Sequence, residues 1–273
     1  VLITDHHLPS ATLPDADALV NPNQPGDTFP GKQLAGVGVI FYVLSALRSR
    51  LRENGWFAAR GLPEPNMAQF LDLVAVGTVA DVVPLAQINR VLVAQGLRRI
   101  REGRCAPGIK ALFTASNRAL VRATASDIGF HLGPRLNAAG RLADMSLSIE
   151  CLLCDDPERA LQLAQELNRL NSERRIIETD MKVQALEYLG QLPLDDHKLP
   201  FGLCLFDPSW HQGVVGILAG RIRERMHRPV IAFAPDNSDG LLRGSARSVP
   251  GLHIRDVLAA VDARQTDLIV RFG

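Results

Sequence analysis

Asp5, His6 and His7 stand directly behind four residues that suit a buried strand, Val1-Leu2-Ile3-Thr4. A carboxylate beside two imidazoles is a good ligand set for Mn²⁺-like divalent ions, and the carboxylate can instead orient a ligating imidazole without touching the metal. In open α/β sheets, ligands sit in the crevice outside the carboxyl ends of strands, which is where this triplet falls. Read alone, the same residues also describe a strand followed by a turn with two exposed histidines. Asp81 is the second candidate. It follows an apolar segment and precedes Val82-Val83-Pro84, and an unpaired carboxylate is expensive to bury in such surroundings. A metal, a helix N-terminus or a hydrogen bond would each relieve that cost. The two histidines strengthen the metal reading, because such a site gathers both kinds of ligand from separate elements.

A second group of residues suits phosphate. Gly133-Pro134-Arg135-Leu136-Asn137-Ala138-Ala139-Gly140-Arg141 offers Arg135, Asn137 and Arg141, and arginine binds phosphate bidentately. Its glycines and proline argue against a simple helix, and its arginines would equally brace a tight loop through backbone carbonyls. Trp210-His211-Gln212-Gly213-Val214-Val215-Gly216 lies between a strand and a helix, where glycines and a helix N-terminus can hold an anion; an ordinary connecting turn is the alternative. In Gly244-Ser245-Ala246-Arg247-Ser248, small residues flank one arginine and would let a nucleic-acid backbone approach, unless this is only an exposed basic strand. Cys151 and Cys154 have the spacing of a zinc pair but sit in an apolar helix without a second pair, which points to core packing. Arg98, Arg99, Arg101 and Arg104 read as a solvated helix end or the rim of a nucleic-acid groove, and Asp195-Asp196-His197 has no role.

Elements must position these side chains. A turn-rich connection over residues 8–32 holds one short strand, Ala18-Leu19-Val20, stopped by Asn21-Pro22-Asn23. Apolar residues at helical spacing predict helices over 33–54, 67–83 and 88–102, the last with Gly103 as its C-cap. Shorter helices are expected over 107–115, 126–132 (capped by Ser126) and 146–154. The longest helical pattern runs over 157–190, and its interrupted apolar stripe among many charges suits a connector. Beyond it, strands over 201–206, 229–233, 241–249 and 267–270 alternate with helices over 214–226 and 253–261, with a turn at 235–240. That alternation makes a separate small α/β domain.

At 273 residues, with 47% hydrophobic and 22% charged, the chain has the composition of a soluble globular protein of one large or two ordinary domains. Its net charge of +1, from 30 basic and 29 acidic residues, excludes an overall basic field but leaves room for a local basic channel. Four cysteines, irregularly placed, fit a reducing cytoplasm rather than a disulfide framework. No apolar run has the length of a membrane span, and no secretory signal opens the chain. The chain begins without Met inside an expected strand and ends just after an apolar run, so a segment of a longer protein is expected.

Taken together, five stretches resemble the DHH phosphoesterases, and within them the bacterial single-strand-specific exonucleases. Thr4-Asp5-His6-His7-Leu8-Pro9 resembles the motif that names the superfamily, and Gly77-Thr78-Val79-Ala80-Asp81-Val82-Val83-Pro84-Leu85 its last metal motif. The stretch from Gly133 to Arg141 separates the exonuclease-like members from the pyrophosphatases. His211-Gln212-Gly213-Val214-Val215-Gly216 and Gly244-Ser245-Ala246-Arg247-Ser248 resemble signatures of the DHH-associated C-terminal (DHHA1) domain. The implied fold is α/β: the C-terminal part of a parallel-sheet DHH domain with many helices over 1–156, a connector helix over 157–192, and a smaller mixed-sheet DHHA1-like domain over 193–273.

The resemblance implies hydrolysis of single-stranded DNA from its 5′ end in repair and recombination, with two Mn²⁺ or Mg²⁺ ions clamping the phosphate and activating water. It makes His6 and Asp81 metal ligands, puts His7 at the phosphate or leaving oxygen, and has Asp5 orient a histidine. It assigns Arg135, Asn137, Arg141, His211, Gln212, Ser245 and Arg247 to nucleic acid, with the strand passing between the domains. Single-stranded DNA, a single-strand-binding protein and a helicase are the implied partners, and no membrane. The family's further metal-binding aspartates lie upstream of the DHH motif, so only part of the site is expected here. The alternatives are a DHH phosphoesterase acting on short oligonucleotides or nucleotides, and a non-catalytic module that binds single strands.

Overall fold

The computed structural model describes residues 1–9, 12–191, 200–236, 240–266 and 268–272. It comprises two compact units, Val1–Ala139 with Ala143–Leu170, and Gly140–Leu142 with Asn171–Gly273. The architecture is α/β in both, with a parallel strand pair and many helices in the first unit and a small mixed sheet in the second.

In the first unit β1 (Leu2–Thr4) runs parallel to β2 (Ala18–Val20), with Leu2 opposite Ala18 and Thr4 opposite Val20. Parallel neighbours need a crossover, and the long turn-rich connection supplies it. Helices follow: α1 (Gly36–Glu53), a short α2 (Trp56–Ala59), a 3₁₀ turn (Met67–Phe70), α3 (Leu71–Ala80) and α4 (Gln87–Arg101). Leu34, Val39, Val74 and Leu92 form a core that joins α1, α3 and α4. The central helix is α3, which buries Asp72, Val74, Ala75, Val76 and Thr78 and so shows no one-sided stripe. Gly96 of α4 lies against the Leu71 carbonyl and Ala75 of α3; a side chain there would collide with backbone, so only glycine permits this crossing.

Next come α5 (Pro107–Ala115), a single turn α6 (Ala125–Asp127), a π-helical turn (Ile128–Leu132), α7 (Gly133–Leu142) and α8 (Ser146–Leu153). Two expectations are corrected here. Thr124, not Ser126, is the N-cap: its hydroxyl accepts from Asp127 N at 3.2 Å while the Asp127 carboxylate accepts from Thr124 N at 2.9 Å. Both residues suit a cap by type, but three residues past Thr124 stands an acid that completes the reciprocal pair, whereas Gly129 occupies that place after Ser126. The stretch from Gly133 to Arg141 is a helix rather than a loop. Pro134 falls in the first turn of α7, where its missing N–H costs little.

The long helix α9 (Pro157–Gln191) crosses from one unit to the other, the boundary falling between Leu170 and Asn171. In the second unit β3 (Leu203–Phe206), β4 (Val230–Pro235) and β5 (Leu242–Arg247) form one sheet in that order, β3–β4 parallel and β4–β5 antiparallel. Two helices accompany them, α10 (Val215–Met226) and α11 (Ile254–Arg264). Alternate residues of the strands, Leu203, Leu205, Val230, Ala232 and Ala234, bury against Trp210, Leu218 and Ile222 and against Met181 and Ala185 of α9. Each fully buried leucine or isoleucine contributes about 1.5–3 kcal/mol. The strand expected over 267–270 does not form among the described residues of that stretch: no strand pairs with them, and Leu268 and Val270 stay exposed. Asp267, part of the turn at 235–240, and Asp195-Asp196-His197 lie outside the described residues.

Candidate metal centre and nucleic-acid interface

The sheet delivers the first ligand group. Asp5 N still donates to Val20 O at 3.0 Å, so the backbone is held up to the end of β1 before it turns. Asp5 Oδ1 then accepts from His6 N at 2.7 Å and His7 N at 3.2 Å, and meets His7 Nδ1 at 2.8 Å. Burial alone would raise the Asp5 carboxyl, yet the hydrogen bonds from the His7 ring and the two amides outweigh it and hold the group below the usual carboxylate range. The histidine that Asp5 orients is therefore His7.

The sequence distance between His6 and Asp81 closes in space. His6 Nε2 lies 3.3 Å from Asp81 Oδ2. Asp81 is the C-cap of α3, and Val82 after it has a left-handed φ of 60°, which is unusual for a β-branched residue and turns the chain sharply out of the helix. Ligand atoms of Asp5, His6 and His7 all lie within 4.8 Å of one another. Two donors on one hard divalent cation, at bonds of about 2.1 Å, stand roughly 3 Å apart, so the His6–Asp81 separation and the N/O donor set fit Mn²⁺ or Mg²⁺.

Two residues that hold this turn were read from the sequence only as strand stoppers. Asn23 Nδ2 donates to His6 O at 2.6 Å and Asn21 Nδ2 to His7 O at 2.8 Å, while Asn21 Oδ1 accepts from Asn23 N at 2.9 Å. The available signal was two amide side chains, each with two N–H donors, directly after the strand that pairs with β1.

The phosphate candidates divide between the units. Arg135 and Asn137 belong to the first. Arg135 Nε donates to Asn168 Oδ1 at 2.9 Å and its Nη1 to His131 O at 2.7 Å, the contacts of a brace. Asn137 is exposed on α7.

Arg141, His211, Gln212, Ser245 and Arg247 belong to the second unit. Arg141 Nη1 donates to Gly213 O at 3.2 Å, and His211 Nδ1 accepts from Gly213 N at 3.1 Å. Arg247 Nη1 donates to Ser245 Oγ at 3.1 Å and Ala246 O at 2.8 Å. A Cβ at Gly216 would lie 2.8 Å from Ser245 Oγ and 3.0 Å from Arg247 Nη2, so glycine leaves these two side chains their places at the start of α10. Gln212 instead accepts from Arg243 at 3.3 Å.

Desolvation, then the Arg174 and Arg247 guanidiniums, push the Arg141 guanidinium below its ordinary value; Glu178 opposes them. Arg141, Arg174 and Arg247 thus stand close enough to repel one another, on a chain of net charge +1. Arg174 escaped the sequence reading because its bond to Glu178, 2.9 Å at i,i+4, looks like an ordinary helix pair.

Cys151, Arg98, Arg101 and Arg104 make structural contacts. Cys151 is buried, its Sγ 3.9 Å from Ala160 O, and burial pushes its thiol up to about 11. Arg98 and Arg104 both pair with Glu102, and Arg101 donates to Ala123 O at 2.8 Å.

Two stretches of the chain match known protein families. Residues 1–78 match the DHH family, N-terminal domain, and residues 200–267 the DHHA1 domain. A single-stranded-DNA-specific exonuclease RecJ of Dickeya dadantii (strain 3937) is 59% identical over 273 residues, 100% of this chain and 47% of that protein. The crystal structure of RecJ from Thermus thermophilus in complex with Mn²⁺ aligns with a TM-score of 0.79 at 36% identity, over 100% of this chain and 37% of that one. Its Mg²⁺ complex aligns with a TM-score of 0.76 at 34% identity, over the same shares of the two chains, 100% and 37%. The chain spans about half the length, 47%, of the curated relative it matches.

Proposed function

We propose that the protein containing this chain is a DHH-family exonuclease that hydrolyses single-stranded DNA from the 5′ end with Mn²⁺ or Mg²⁺ as cofactor, because residues 1–78 match the DHH family, N-terminal domain, and the whole chain aligns with RecJ exonucleases. The observation that carries the reading is the 3.3 Å approach of His6 Nε2 to Asp81 Oδ2, two ligands brought together from a strand end and a helix end. His6 and Asp81 would hold the metal, together with ligands supplied from elsewhere in the protein. When bound, the divalent ions supply Lewis-acid charge at the scissile phosphate and activate the attacking water.

The chain's own residues do the rest. Asp5 fixes the His7 ring through Nδ1, which leaves Nε2, on the far edge of an exposed ring, to meet a phosphate oxygen or pass a proton to the leaving oxygen. Arg141, Ser245 and Arg247, with His211 and Gln212 beside them, offer a patch for the sugar-phosphate backbone. In the first unit Asn137, exposed on α7, is a separate candidate contact, whereas Arg135 is held as a brace on Asn168 and His131. Such a patch reads backbone rather than base, which suits sequence-independent degradation.

The functional divisions are residues 1–156, 157–192 and 193–273, with α9 as connector. A single-strand-binding protein and a helicase are the partners that would supply such a substrate in repair and recombination. The setting is the cytoplasm, where such a substrate arises during repair; no described helix is long and apolar enough to cross a membrane.

The test is digestion by the full-length protein of a 5′-labelled single strand, the matching blunt duplex and a dinucleotide, each with Mn²⁺. The single strand should be degraded far faster, to mononucleotides. Equal rates on the duplex, or activity confined to the dinucleotide, would overturn the proposal.

A further inference from the structure

We propose that Asn89 is a positioning residue that sets the separation of His6 and Asp81. The inference rests on the metal reading above. Asn89 lies on α4, 2% exposed, and among the described residues forms no hydrogen bond with either side chain of the pair. Its amide Nδ2 donates to two carbonyls, Gln33 O at 2.6 Å and Pro84 O at 2.8 Å.

Those carbonyls belong to the two segments that present the ligands. Pro84 closes the turn that begins at Asp81 and passes through left-handed Val82. Its carbonyl also accepts from Ala86 N at 2.8 Å, so Asn89 and Ala86 together fix it. Gln33 leads into α1, whose first residue lies under His6: a Cβ at Gly36 would be 3.6 Å from His6 Cδ2. One side chain on a third element thus ties the floor under His6 to the loop behind Asp81.

Two further facts separate this role from general packing. The helices themselves are already registered by the core of Leu34, Val39, Val74 and Leu92, which leaves the irregular loop after Asp81 as the part that needs a clamp. Asn89 Oδ1, moreover, is buried without a hydrogen-bond partner among the described residues. An unsatisfied buried acceptor is destabilising, and an apolar residue of the same size would avoid it. A position that keeps the amide despite that cost keeps it for its two donors.

The experiment measures Mn²⁺ binding to the full-length protein from the electron paramagnetic resonance signal of the free ion. Asn89→Leu removes both donors with the same number of side-chain heavy atoms, and Asn89→Ser, which adds no bulk, removes their reach. Each should weaken Mn²⁺ binding about tenfold, the scale seen when residues that orient metal ligands are removed. The kcat at saturating Mn²⁺ should stay within about twofold, since the ligands themselves are intact.

Ile100→Ala, a cavity in the same helix, should lower the thermal midpoint without changing Mn²⁺ affinity. Unchanged Mn²⁺ binding in Asn89→Leu, or in Asn89→Ser if the leucine variant does not fold, would overturn the proposal. So would an equal loss of Mn²⁺ affinity in Ile100→Ala. His6→Ala separates the two layers of the argument. If it leaves Mn²⁺ binding intact, the metal reading fails; if it abolishes binding while the Asn89 variants bind normally, only the role of Asn89 fails.

Discussion

Replacing Arg141 by alanine should weaken the grip of the full-length protein on single-stranded DNA while barely touching its stability. Among the described residues the Arg141 side chain donates one hydrogen bond, to Gly213 O at 3.2 Å. Losing such a bond costs about 0.5–1 kcal/mol, and relief of the repulsion from Arg174 and Arg247 offsets part of that. For a protein of this size the thermal midpoint should therefore move by no more than about 2–4 °C. The effect on DNA is larger in proportion. One phosphate contact to a single strand releases about 0.7 of a counterion, so at 0.1 M salt its loss weakens binding roughly fivefold. The slope of log affinity against log salt should flatten by the same 0.7 or so. The assay is fluorescence anisotropy of a labelled single strand across a salt series, without divalent metal so that no strand is cut. An unchanged slope together with a fall in midpoint of more than about 5 °C would refute the reasoning and return Arg141 to the role of a brace on Gly213.

Arg135→Ala should behave in the opposite way. Losing the bonds to Asn168 and His131 should cost about 1–2 kcal/mol in urea denaturation with the salt slope unmoved; a flatter slope at wild-type stability would make Arg135 a DNA ligand instead. Asp127 predicts a pH dependence. Burial alone raises its carboxyl, but hydrogen bonds from Thr124 and Arg118 outweigh burial and hold it below the usual range. A group whose folded value is depressed contributes stability above its unfolded value, near 3.9, and loses it as pH falls through the lower folded value. Asp127→Asn should accordingly destabilise the protein by about 1 kcal/mol at pH 7, with the gap from wild type closing below about pH 4. A gap independent of pH would assign Asp127 a packing role only.

Elements marked by local chemistry were legible in the sequence. Pro107 at a first turn and the apolar repeat after it delimit α5 as observed, and the strands of the second unit are bounded by Gly and Pro much as their turns demand. The errors arose where two local rules competed. Pro134 and its glycines looked like a break until the preceding π-helical turn placed the proline at the start of α7. Ser126 and Thr124 compete for one cap, and Asp127 decides between them. The candidate site was legible as residue types, with His6 and Asp81 joined through the family resemblance, but not as the bonds that hold them. Nothing in the chain says that Asp5 takes His7 rather than His6, or that Asn21, Asn23 and Asn89 spend their amides on the backbone of the ligand-bearing turns. Such bonds join side chain to carbonyl across long stretches and leave no periodicity to read. Arg141, Arg174 and Arg247 likewise become a cluster only in three dimensions.

The central claim is that His6 and Asp81 are ligands of one divalent ion. It is tested most directly by anomalous scattering at the manganese edge from crystals of the full-length protein grown with Mn²⁺. The account predicts a peak bonded to both His6 Nε2 and Asp81 Oδ2, at about 2.0–2.6 Å from each. A manganese peak elsewhere, with His6 and Asp81 joined only by a direct hydrogen bond, would contradict it.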